Sequence, residues 1–144
     1  MNLSPLSRQR LQGVHADLVK VVEGAGDYLD PASGLTFRVT EGLRTKERQA
    51  QLVKSGASQT MKSRHLTGHA VDLAAEVSGE VRWDWSCYIT LANAMRRSAL
   101  DLGLPVVWGG TWKLLTIRPV TSADLSRSFP DGPHFELDRL SYPS

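Results

Sequence analysis

The chain has 144 residues, of which 41% are hydrophobic and 22% are charged, a composition typical of one soluble globular domain rather than of a disordered segment. Its net charge of +2 and sequence pI of about 8.9 favour an anionic partner, but no dense run of Lys and Arg is present to indicate nucleic-acid binding. Cys87 is the only cysteine, which excludes an intrachain disulfide and a Cys-rich zinc site, so any bound metal must be held by His, Asp or Glu.

The first predicted element is a long helix near the amino terminus. Ser4 supplies a capping hydroxyl, and Pro5 stands at the first helical position. Apolar residues then recur at steps of three and four residues as far as Val22, which predicts one apolar helix stripe. Gly24 and Gly26 are expected to end this helix.

A strand and a short helix are predicted next, after a turn over residues 31–34. Apolar and polar residues alternate over residues 35–40, which is the period of a half-buried strand, and Gly42 breaks the pattern. Thr45 can then cap a helix that runs to about Lys54.

The middle of the chain predicts a loop followed by a β-hairpin. Residues 58–67 are polar and are expected to form the loop, and residues 69–77 have the pattern of a strand. Ser78 and Gly79 can turn this strand into a hairpin whose second strand runs through residues 81–83.

The carboxyl-terminal half predicts a second long helix and two short strands. Asp84 is expected to cap the helix and Gly103 to end it. Its predicted apolar stripe consists of Trp85, Ile89, Ala92, Ala99 and Leu102. The short strands are expected over residues 104–108 and 134–137, and a long loop with some local helix over residues 113–130.

Together, these elements predict an α+β fold in which helices pack against a small, mainly antiparallel sheet. No repeat or low-complexity tract divides the sequence, so residues 1–144 are expected to form a single domain. No apolar run approaches the length of a membrane span, and the amino terminus lacks the layout of a signal peptide. We therefore expect a protein that is made in the cytoplasm and is not stably inserted in a membrane.

Two short stretches, 63-SRHLTGHAVDL-73 and 131-DGPHFEL-137, place three of the four histidines beside acidic residues. Zinc in a hydrolase usually takes three ligands of the His/Asp/Glu type and leaves one position open for water. The candidate ligands are His65, His69, Asp72 and His134, with Asp131 and Glu136 nearby. If Gly68 turns the backbone sharply, a loop, the following strand and a distant strand can present such ligands on one side of the sheet.

The positions of two acidic residues point to chemistry. In the predicted strand, Ala70, Asp72 and Ala74 share one face, and a carboxylate between two alanines is unusual unless something binds it. In the second stretch, a turn would present Asp131 and His134 to one point, so Asp131 could take a proton from a water if His134 holds a metal. The spacing alone leaves open that the histidines are surface loop residues and that Asp131 only forms a turn.

Both stretches resemble the signatures of a known enzyme family. Residues 63–72 match the S-x-H-x-x-G-x-A-x-D motif of the LAS-type peptidoglycan metallopeptidases. The later WGG-x-W and D-x-PHFEL stretches are similar to the second signature of that family, so the resemblance covers most of the chain between about residues 42 and 137. The family includes D-alanyl-D-alanine carboxypeptidases and the L-alanyl-D-glutamate endopeptidases that many bacteriophages use as endolysins.

The resemblance implies a zinc site on the face of the sheet. The implied roles are zinc ligand for His65, Asp72 and His134, catalytic base for Asp131, and substrate binding for Arg44 of 42-GLRT-45 and for Ser63. Two features depart from the family pattern: Thr111 stands where close relatives often have aspartate, and residues 113–129 resemble an insertion. Neither departure touches an implied ligand, but both lie where substrate is expected to rest, so they bear on peptide specificity.

Four further residues have structural interpretations. His69 is expected to support the site rather than to bind metal. Glu136 is expected to point away from the metal, toward another surface or toward a partner of a ligand. Trp108 and Trp112 are expected in the core or in the wall of a groove.

The function implied by the resemblance is that of a zinc-dependent peptidase that acts on peptidoglycan stem peptides, at the L-alanyl-D-glutamate bond by preference. Such an enzyme would serve as a bacteriophage endolysin that waits in the host cytoplasm, as a monomer without a separate cell-wall-binding domain, until a membrane pore gives access to the wall. Two alternatives remain, a D-alanyl-D-alanine carboxypeptidase and a non-catalytic zinc-binding module. The presence of Asp131 three residues before His134 favours an enzyme, since a pure binder does not need a base.

Overall fold

The computed structural model describes residues 3–143 and has an antiparallel sheet at its centre. The strands follow the order β1, β2, β6, β4, β5, with β3 paired to one end of β2. Their bounds are β1 (Leu35–Glu41), β2 (Ala70–Val77), β3 (Glu80–Arg82), β4 (Val106–Trp108), β5 (Lys113–Leu114) and β6 (His134–Leu137). The predicted α+β class with a mainly antiparallel sheet is confirmed, because each described strand pair is antiparallel.

Helices cover one face of this sheet and one of its edges. Their bounds are α1 (Pro5–Arg10), α2 (Ala16–Ala25), α3 (Lys46–Lys54) and α4 (Trp85–Leu102). Helices α2 and α4 pack on each other and on the sheet around a core that includes Leu18, Val22, Val39, Leu73, Leu91, Met95, Phe135 and Leu137. Alternate strand residues point to the opposite face of the sheet, where polar side chains of β2 and β6 lie.

Helix α1 covers the outer edge of β1. The N–H of Val39 donates to Ser7 Oγ over 3.0 Å, and Arg10 Nη1 donates to the carbonyl of Val39, also over 3.0 Å. These bonds satisfy strand groups that have no neighbouring strand, which protects the edge from pairing with another chain.

The prediction of one long amino-terminal helix is wrong, because the chain forms α1 and α2 with a break between them. Gly13 in the break has a φ of 84°, and the N–H of His15 donates to the carbonyl of Gly68 over 2.8 Å. The apolar periodicity continues across the break because both helices face the same core, so the pattern alone could not show it.

The predicted stop at Gly24 is also wrong, since this residue lies inside α2. A Cβ at Gly24 would lie 2.5 Å from Ser98 Oγ of α4, so the glycine permits close packing of the two helices. Helix α2 ends one residue later, at Ala25, and Gly26 begins a 3-10 turn.

The predicted bounds of α4 are confirmed, but its buried stripe is rotated from the predicted one. Trp85 and Leu102 are 38% and 45% exposed, whereas Tyr88 and Met95 are buried. Apolar residues occur on several faces of this helix, and the position of the sheet decides which of them are covered. Within residues 3–143, no helix combines the length and the apolar character needed to span a membrane.

The segment over residues 113–130, predicted as a long loop with some local helix, packs on the core. It contains β5 and two 3-10 turns, as local structure within the predicted loop, and buries Leu115 and Val120. Asn93 of α4 fixes it, because its side chain donates to the carbonyl of Val120 over 3.0 Å and accepts from the N–H of Val120 over 2.8 Å.

Candidate metal centre

Neighbouring strands bring an aspartate and a histidine together on the open face of the sheet. In β2, Ala70, Asp72 and Ala74 share one face as predicted, and both alanines are buried. Antiparallel pairing sets Asp72 directly opposite His134 of β6. Because directly opposite side chains leave a sheet on the same side, Asp72 and His134 meet over the face that α2 and α4 do not cover.

A 3-10 turn, Arg64–Thr67, brings His65 to the same place. Ser63 begins the turn, because its Oγ accepts the N–H of His65 over 3.2 Å. Gly68 ends it with a φ of 75°, at a position where a Cβ would come within 2.3 Å of the carbonyl oxygen of Gly13. The sharp turn predicted at this glycine is therefore confirmed, and it directs the chain into β2 so that His65 faces Asp72.

Three ligand atoms converge with the spacing of a metal site. His65 Nε2 lies 3.1 Å from Asp72 Oδ1, and His134 Nδ1 lies 3.4 Å from the same oxygen. The ligand atoms of these three residues all lie within 4.8 Å of one another. Within residues 3–143, they are the group of His, Cys, Asp or Glu side chains that is close enough together to hold a metal ion. Ligands about 2.1 Å from a tetrahedral zinc ion stand about 3.4 Å apart, so the residues present fit that ion.

Hydrogen bonds on the outer side of each imidazole select the nitrogen that faces the centre. His65 Nδ1 lies 2.8 Å from the carbonyl oxygen of Gly42, an acceptor, so this nitrogen carries the proton and Nε2 is directed at Asp72. His134 is reversed: its Nε2 donates to Glu136 Oε1 over 2.9 Å, and Nδ1 faces the centre. Metal-binding histidines typically donate their other N–H to a carbonyl or carboxylate in this way, so both side chains fit the predicted role.

The charges of the cluster are strongly coupled. Burial alone would raise the pKa of Asp72, but the hydrogen bonds and charges of His134 and His65 outweigh it and hold this pKa well below its usual value. Burial likewise favours neutral His134, yet the carboxylates of Asp72 and Glu136 outweigh it and raise the His134 pKa to about 9. Asp72 is therefore ionised at neutral pH, and binding of a metal at Nδ1 of His134 would release a proton.

Glu136 lies on the same face of the sheet as His134, and the prediction that it points away from the centre is wrong. Residues two apart on a strand share a face, so the alternation of β6 places both side chains together. The 6% exposed Glu136 contacts His134 directly, as the partner of a candidate ligand.

A buried arginine lies behind Glu136. The side chain of Arg64 is 3% exposed, its Nη2 donates to the carbonyl of Tyr142 over 2.6 Å, and its Nη1 lies 4.0 Å from Glu136 Oε2. Arg139 Nε lies 3.5 Å from the same oxygen. Two cations therefore stabilise the negative charge of the carboxylate that holds His134.

Asp131 lies at the rim of the cluster on a turn fixed by its backbone. Its N–H donates to the carbonyl of Gly109 over 2.9 Å, and its own carbonyl accepts the N–H of His134 over 3.2 Å. A Cβ at Gly109 would lie 2.4 Å from this carbonyl oxygen, which explains the glycine in the WGG stretch. The carboxylate is open to the groove, but its enclosure by the groove walls and the negative charge of Asp72 raise its pKa above the usual value.

Arg44 lies beside Asp72 and is held rigidly. Its Nε and Nη2 donate to the two oxygens of Glu41 over 2.9 and 2.7 Å, and its Nη1 donates to Gln49 Oε1 over 2.7 Å. Nη2 also lies 3.5 Å from Asp72 Oδ2. The guanidinium thus places a fixed positive charge next to the candidate metal centre.

A groove of about 830 Å³ joins these elements. It is lined by all six residues singled out from the sequence, namely Arg44, Ser63, His65, Asp72, Asp131 and His134. His69 is not among the lining residues, and its Nδ1 lies 2.7 Å from Thr67 Oγ1, so its support of the site stays a prediction. Trp108 is buried in the core, whereas Trp112 is exposed in the groove wall.

Comparison with known proteins identifies the family. The family described as phage L-alanyl-D-glutamate peptidase matches residues 1–138. The chain belongs to this family. The L-alanyl-D-glutamate peptidase of Escherichia phage T5 is 29% identical over 139 residues, which cover 91% of this chain and 93% of that protein. The peptidase of the same name from Listeria phage A118 is 34% identical over 112 residues, which cover 77% of this chain and 34% of that protein.

A solved structure agrees with the family and the fold. The crystal structure of the Serratia marcescens L-Ala D-Glu endopeptidase ChiX has a TM-score of 0.81 and 42% sequence identity, and the match covers 100% of this chain and 95% of that one. The resemblance identified from the sequence motifs and the predicted class of enzyme, a peptidoglycan peptidase, are thereby confirmed.

Three residues at the centre of this L-alanyl-D-glutamate peptidase family member were missed by the motifs. Glu41 pairs with Asp72 in the strand register and binds Arg44, Gln49 is the buried residue of helix α3, and Gly42 offers its carbonyl to His65. Glu41 could have been noticed beside the GLRT stretch. A backbone carbonyl and a buried glutamine leave no comparable sequence signal.

Proposed function

We propose that this chain is a zinc-dependent endopeptidase that hydrolyses the L-alanyl-D-glutamate bond of peptidoglycan stem peptides. The observation that carries the proposal is the cluster His65, Asp72 and His134, with both imidazoles oriented by outer hydrogen bonds, in a groove beside Asp131. Similarity to peptidases of that name over most of the chain supports the choice of bond. We propose that one catalytic domain, acting as a monomer, carries out this reaction.

The metal would be held by His65 Nε2, Asp72 Oδ1 and His134 Nδ1. Two nitrogens and one oxygen, without sulfur, form a ligand set that is common for zinc in hydrolases, where a fourth position stays open. When bound, zinc supplies Lewis acidity, which acidifies a water and polarises a carbonyl group. Glu136 and the carbonyl of Gly42 keep the two imidazoles in the orientation that this binding needs.

Asp131 would act as the general base and then as the general acid. Its raised pKa lies closer to neutral pH than that of an ordinary carboxylate, which suits a group that must both accept and return a proton. It would accept the proton of the attacking water and deliver it to the nitrogen of the departing D-glutamyl residue. The backbone bonds to Gly109 and His134 hold it in place for both transfers.

Arg44 and Ser63 would act on the substrate. Arg44, fixed by Glu41 and Gln49, would stabilise negative charge that develops on the carbonyl oxygen of the bond under attack. Ser63 already accepts the N–H of His65, so its hydroxyl hydrogen remains available for donation to a substrate carbonyl.

We further infer that the enzyme serves as a bacteriophage endolysin, which its phage relatives support. It would be retained in the host cytoplasm and reach the cell wall after a membrane pore opens.

The decisive experiment is mass spectrometry of purified Gram-negative peptidoglycan after digestion. The reactions compare the wild-type protein, the same protein with a chelator, a zinc add-back, and an Asp131→Asn variant as the matched control that keeps the metal ligands. We expect new fragments that begin with D-glutamate, which disappear with the chelator, return with zinc and are nearly absent with the variant.

Other products would assign another function. Release of free D-alanine would identify a D-alanyl-D-alanine carboxypeptidase. Tight zinc binding without a zinc-dependent product from any wall type would identify a binding module and would exclude the peptidase mechanism.

A further inference from the structure

Two exposed aromatic residues form one wall of the groove. Trp112 and Phe129 are 41% and 65% exposed, and both line the groove that contains the candidate metal ligands. Trp112 Nε1 donates to the carbonyl of Phe129 over 2.9 Å, which joins the two residues. The Trp112 ring lies 5.4 Å from the ring of His134. We call Trp112 and Phe129 the aromatic wall.

The backbone of the aromatic wall is in an unfavourable conformation. Trp112 and Phe129 have φ values of 56° and 49°, in the left-handed region that glycine adopts freely and bulky residues rarely do. The other non-glycine residue of this kind in residues 3–143 is Ser78, in the β2–β3 hairpin turn, where positive φ is the normal geometry. The fold thus keeps two large aromatic residues in a backbone conformation that glycine would adopt without strain. Backbone strain at a site of this kind points to a functional use of the side chains.

The position of the aromatic wall in the sheet separates it from Arg44. Arg44 follows β1, and Trp112 lies between β4 and β5, at the opposite end of the strand order. Asp72 and His134 are on β2 and β6, which lie between these ends. The groove therefore crosses the strands with Arg44 on one side of the candidate metal centre and Trp112 on the other.

The charges along the groove are also unevenly distributed. Outside residues 112–131, its described lining residues include four cations: Arg44, which is paired with Glu41, Arg64 and Arg139, which lie beside Glu136, and the exposed Lys62. Among the described lining residues that come from residues 112–131, Asp131 carries a negative charge and none is a cation. A segment of substrate that rests on the aromatic wall is therefore expected to be apolar or uncharged.

The proposed substrate has the same asymmetry about the bond that is cut. On the amino side of the L-alanyl-D-glutamate bond are the alanine methyl group and the lactyl ether of an N-acetylmuramyl sugar, all uncharged. On the carboxyl side, D-glutamate and the residues after it carry free carboxylates. Resting on the proposed function, we propose that the aromatic wall is the subsite for the N-acetylmuramyl-L-alanine half. Flat aromatic faces suit its C–H groups, while the carboxylates of the other half extend toward the cations.

The test compares two substrates that share the bond to be cut. One is the stem peptide attached to N-acetylmuramic acid, and the other is the same peptide with a plain acetyl group in place of the sugar. We would measure kcat/KM on both with the wild type, Trp112→Ala, Phe129→Ala and the control Trp83→Ala, an equally large aromatic that is 67% exposed and is not among the groove-lining residues. Zinc content and the midpoint of thermal unfolding are recorded for each protein.

The wild type is expected to prefer the sugar-bearing substrate. Trp112→Ala is expected to lower kcat/KM on that substrate about tenfold and to lower it less on the peptide alone, so that the preference falls severalfold, whereas Trp83→Ala preserves it. Phe129→Ala keeps the carbonyl that accepts the bond from Trp112, so it decides the question if Trp112→Ala does not fold. An unchanged preference in folded, zinc-loaded variants would overturn the assignment, as would an equal loss on both substrates, which would give Trp112 a structural role.

Failure of the proposed function would look different. A wild-type protein that cuts neither substrate at this bond would contradict the endopeptidase proposal. In that case, titration of the same variants with N-acetylmuramyl-L-alanine decides the inference. Weaker binding by Trp112→Ala than by Trp83→Ala would support it, and equal or undetectable binding by all would overturn it.

Discussion

Glu136→Gln tests whether the contact between Glu136 and His134 orients the metal site. The buried carboxylate accepts the Nε2–H of His134 over 2.9 Å and has Arg64 and Arg139 at 4.0 and 3.5 Å from its other oxygen. Glutamine has nearly the same shape and still offers one acceptor oxygen, so the substitution removes the charge with little change in packing. We therefore expect a specific weakening of zinc binding rather than a loss of the fold.

The size of the effect follows from the kind of hydrogen bond that is lost. A hydrogen bond to a charged group contributes about 1.5–3 kcal/mol and a neutral one about 0.5–1.5 kcal/mol, so Glu136→Gln should cost about 1–1.5 kcal/mol of binding free energy. About 1.4 kcal/mol corresponds to tenfold in the dissociation constant. Glu136→Ala removes the acceptor altogether and should approach the ~100-fold limit seen for outer partners of metal-binding histidines.

The assay is competition for zinc with a chromophoric chelator, combined with nitrogen NMR of the histidine rings. The zinc-loaded wild type should show His134 protonated at Nε2, and this signal should weaken or move in the variants. Glu76→Gln is the matched control, because Glu76 lies on β2 and pairs with Arg38, away from the ligands. Zinc affinity within twofold of the wild type in a folded Glu136→Gln protein would refute the orienting role.

Three further predictions concern catalysis and stability. Asp131→Asn should keep one zinc per chain and lose about 10²–10⁴-fold in kcat. The kcat of the wild type should fall as the pH decreases, since protonation of Asp131 removes the base, and normal turnover by the variant would exclude Asp131 as the base. Gly68→Ala should lower the midpoint of thermal unfolding more than Gly79→Ala. Both glycines have positive φ, which costs alanine about 1–2 kcal/mol. At Gly68 a Cβ would also lie 2.3 Å from a backbone oxygen, whereas at Gly79 it would meet nothing within 4 Å. Equal shifts of the two midpoints would contradict this account. Gln49→Leu should lower the free energy of unfolding by about 1–3 kcal/mol in urea titrations, because Arg44 Nη1 loses its buried acceptor; no change would show that water replaces it.

Local sequence signals predicted most elements because the structure follows local physical rules at those positions. Thr45 caps α3 through its side chain, Ser78 and Gly79 form the hairpin turn with positive φ, and Gly103 ends α4 in the left-handed conformation. In each case one or two residues fix the backbone by themselves, so the prediction needs no knowledge of distant contacts.

Predictions failed where a distant segment decides the outcome. Gly24 lies inside α2, where a Cβ would meet Ser98 of α4, so this glycine permits helix packing and does not mark a helix end. The break between α1 and α2 depends on Gly68, more than fifty residues away in the sequence, whose carbonyl accepts the N–H of His15. Neither contact can be seen in a window of neighbouring residues.

The sequence by itself determined the chemistry that is available to this protein. Because the sequence has a single cysteine, metal ligands are limited to His, Asp and Glu. The motif spacing selects the residues that the structure brings into one groove. The tertiary structure decided how those residues are used: which imidazole nitrogen faces the centre, which charges surround Glu136, and where Trp112 lies relative to Arg44. The physical reason is that ligand type is a property of a single side chain, whereas orientation, pKa and groove asymmetry arise from contacts between strands that only the folded chain brings together.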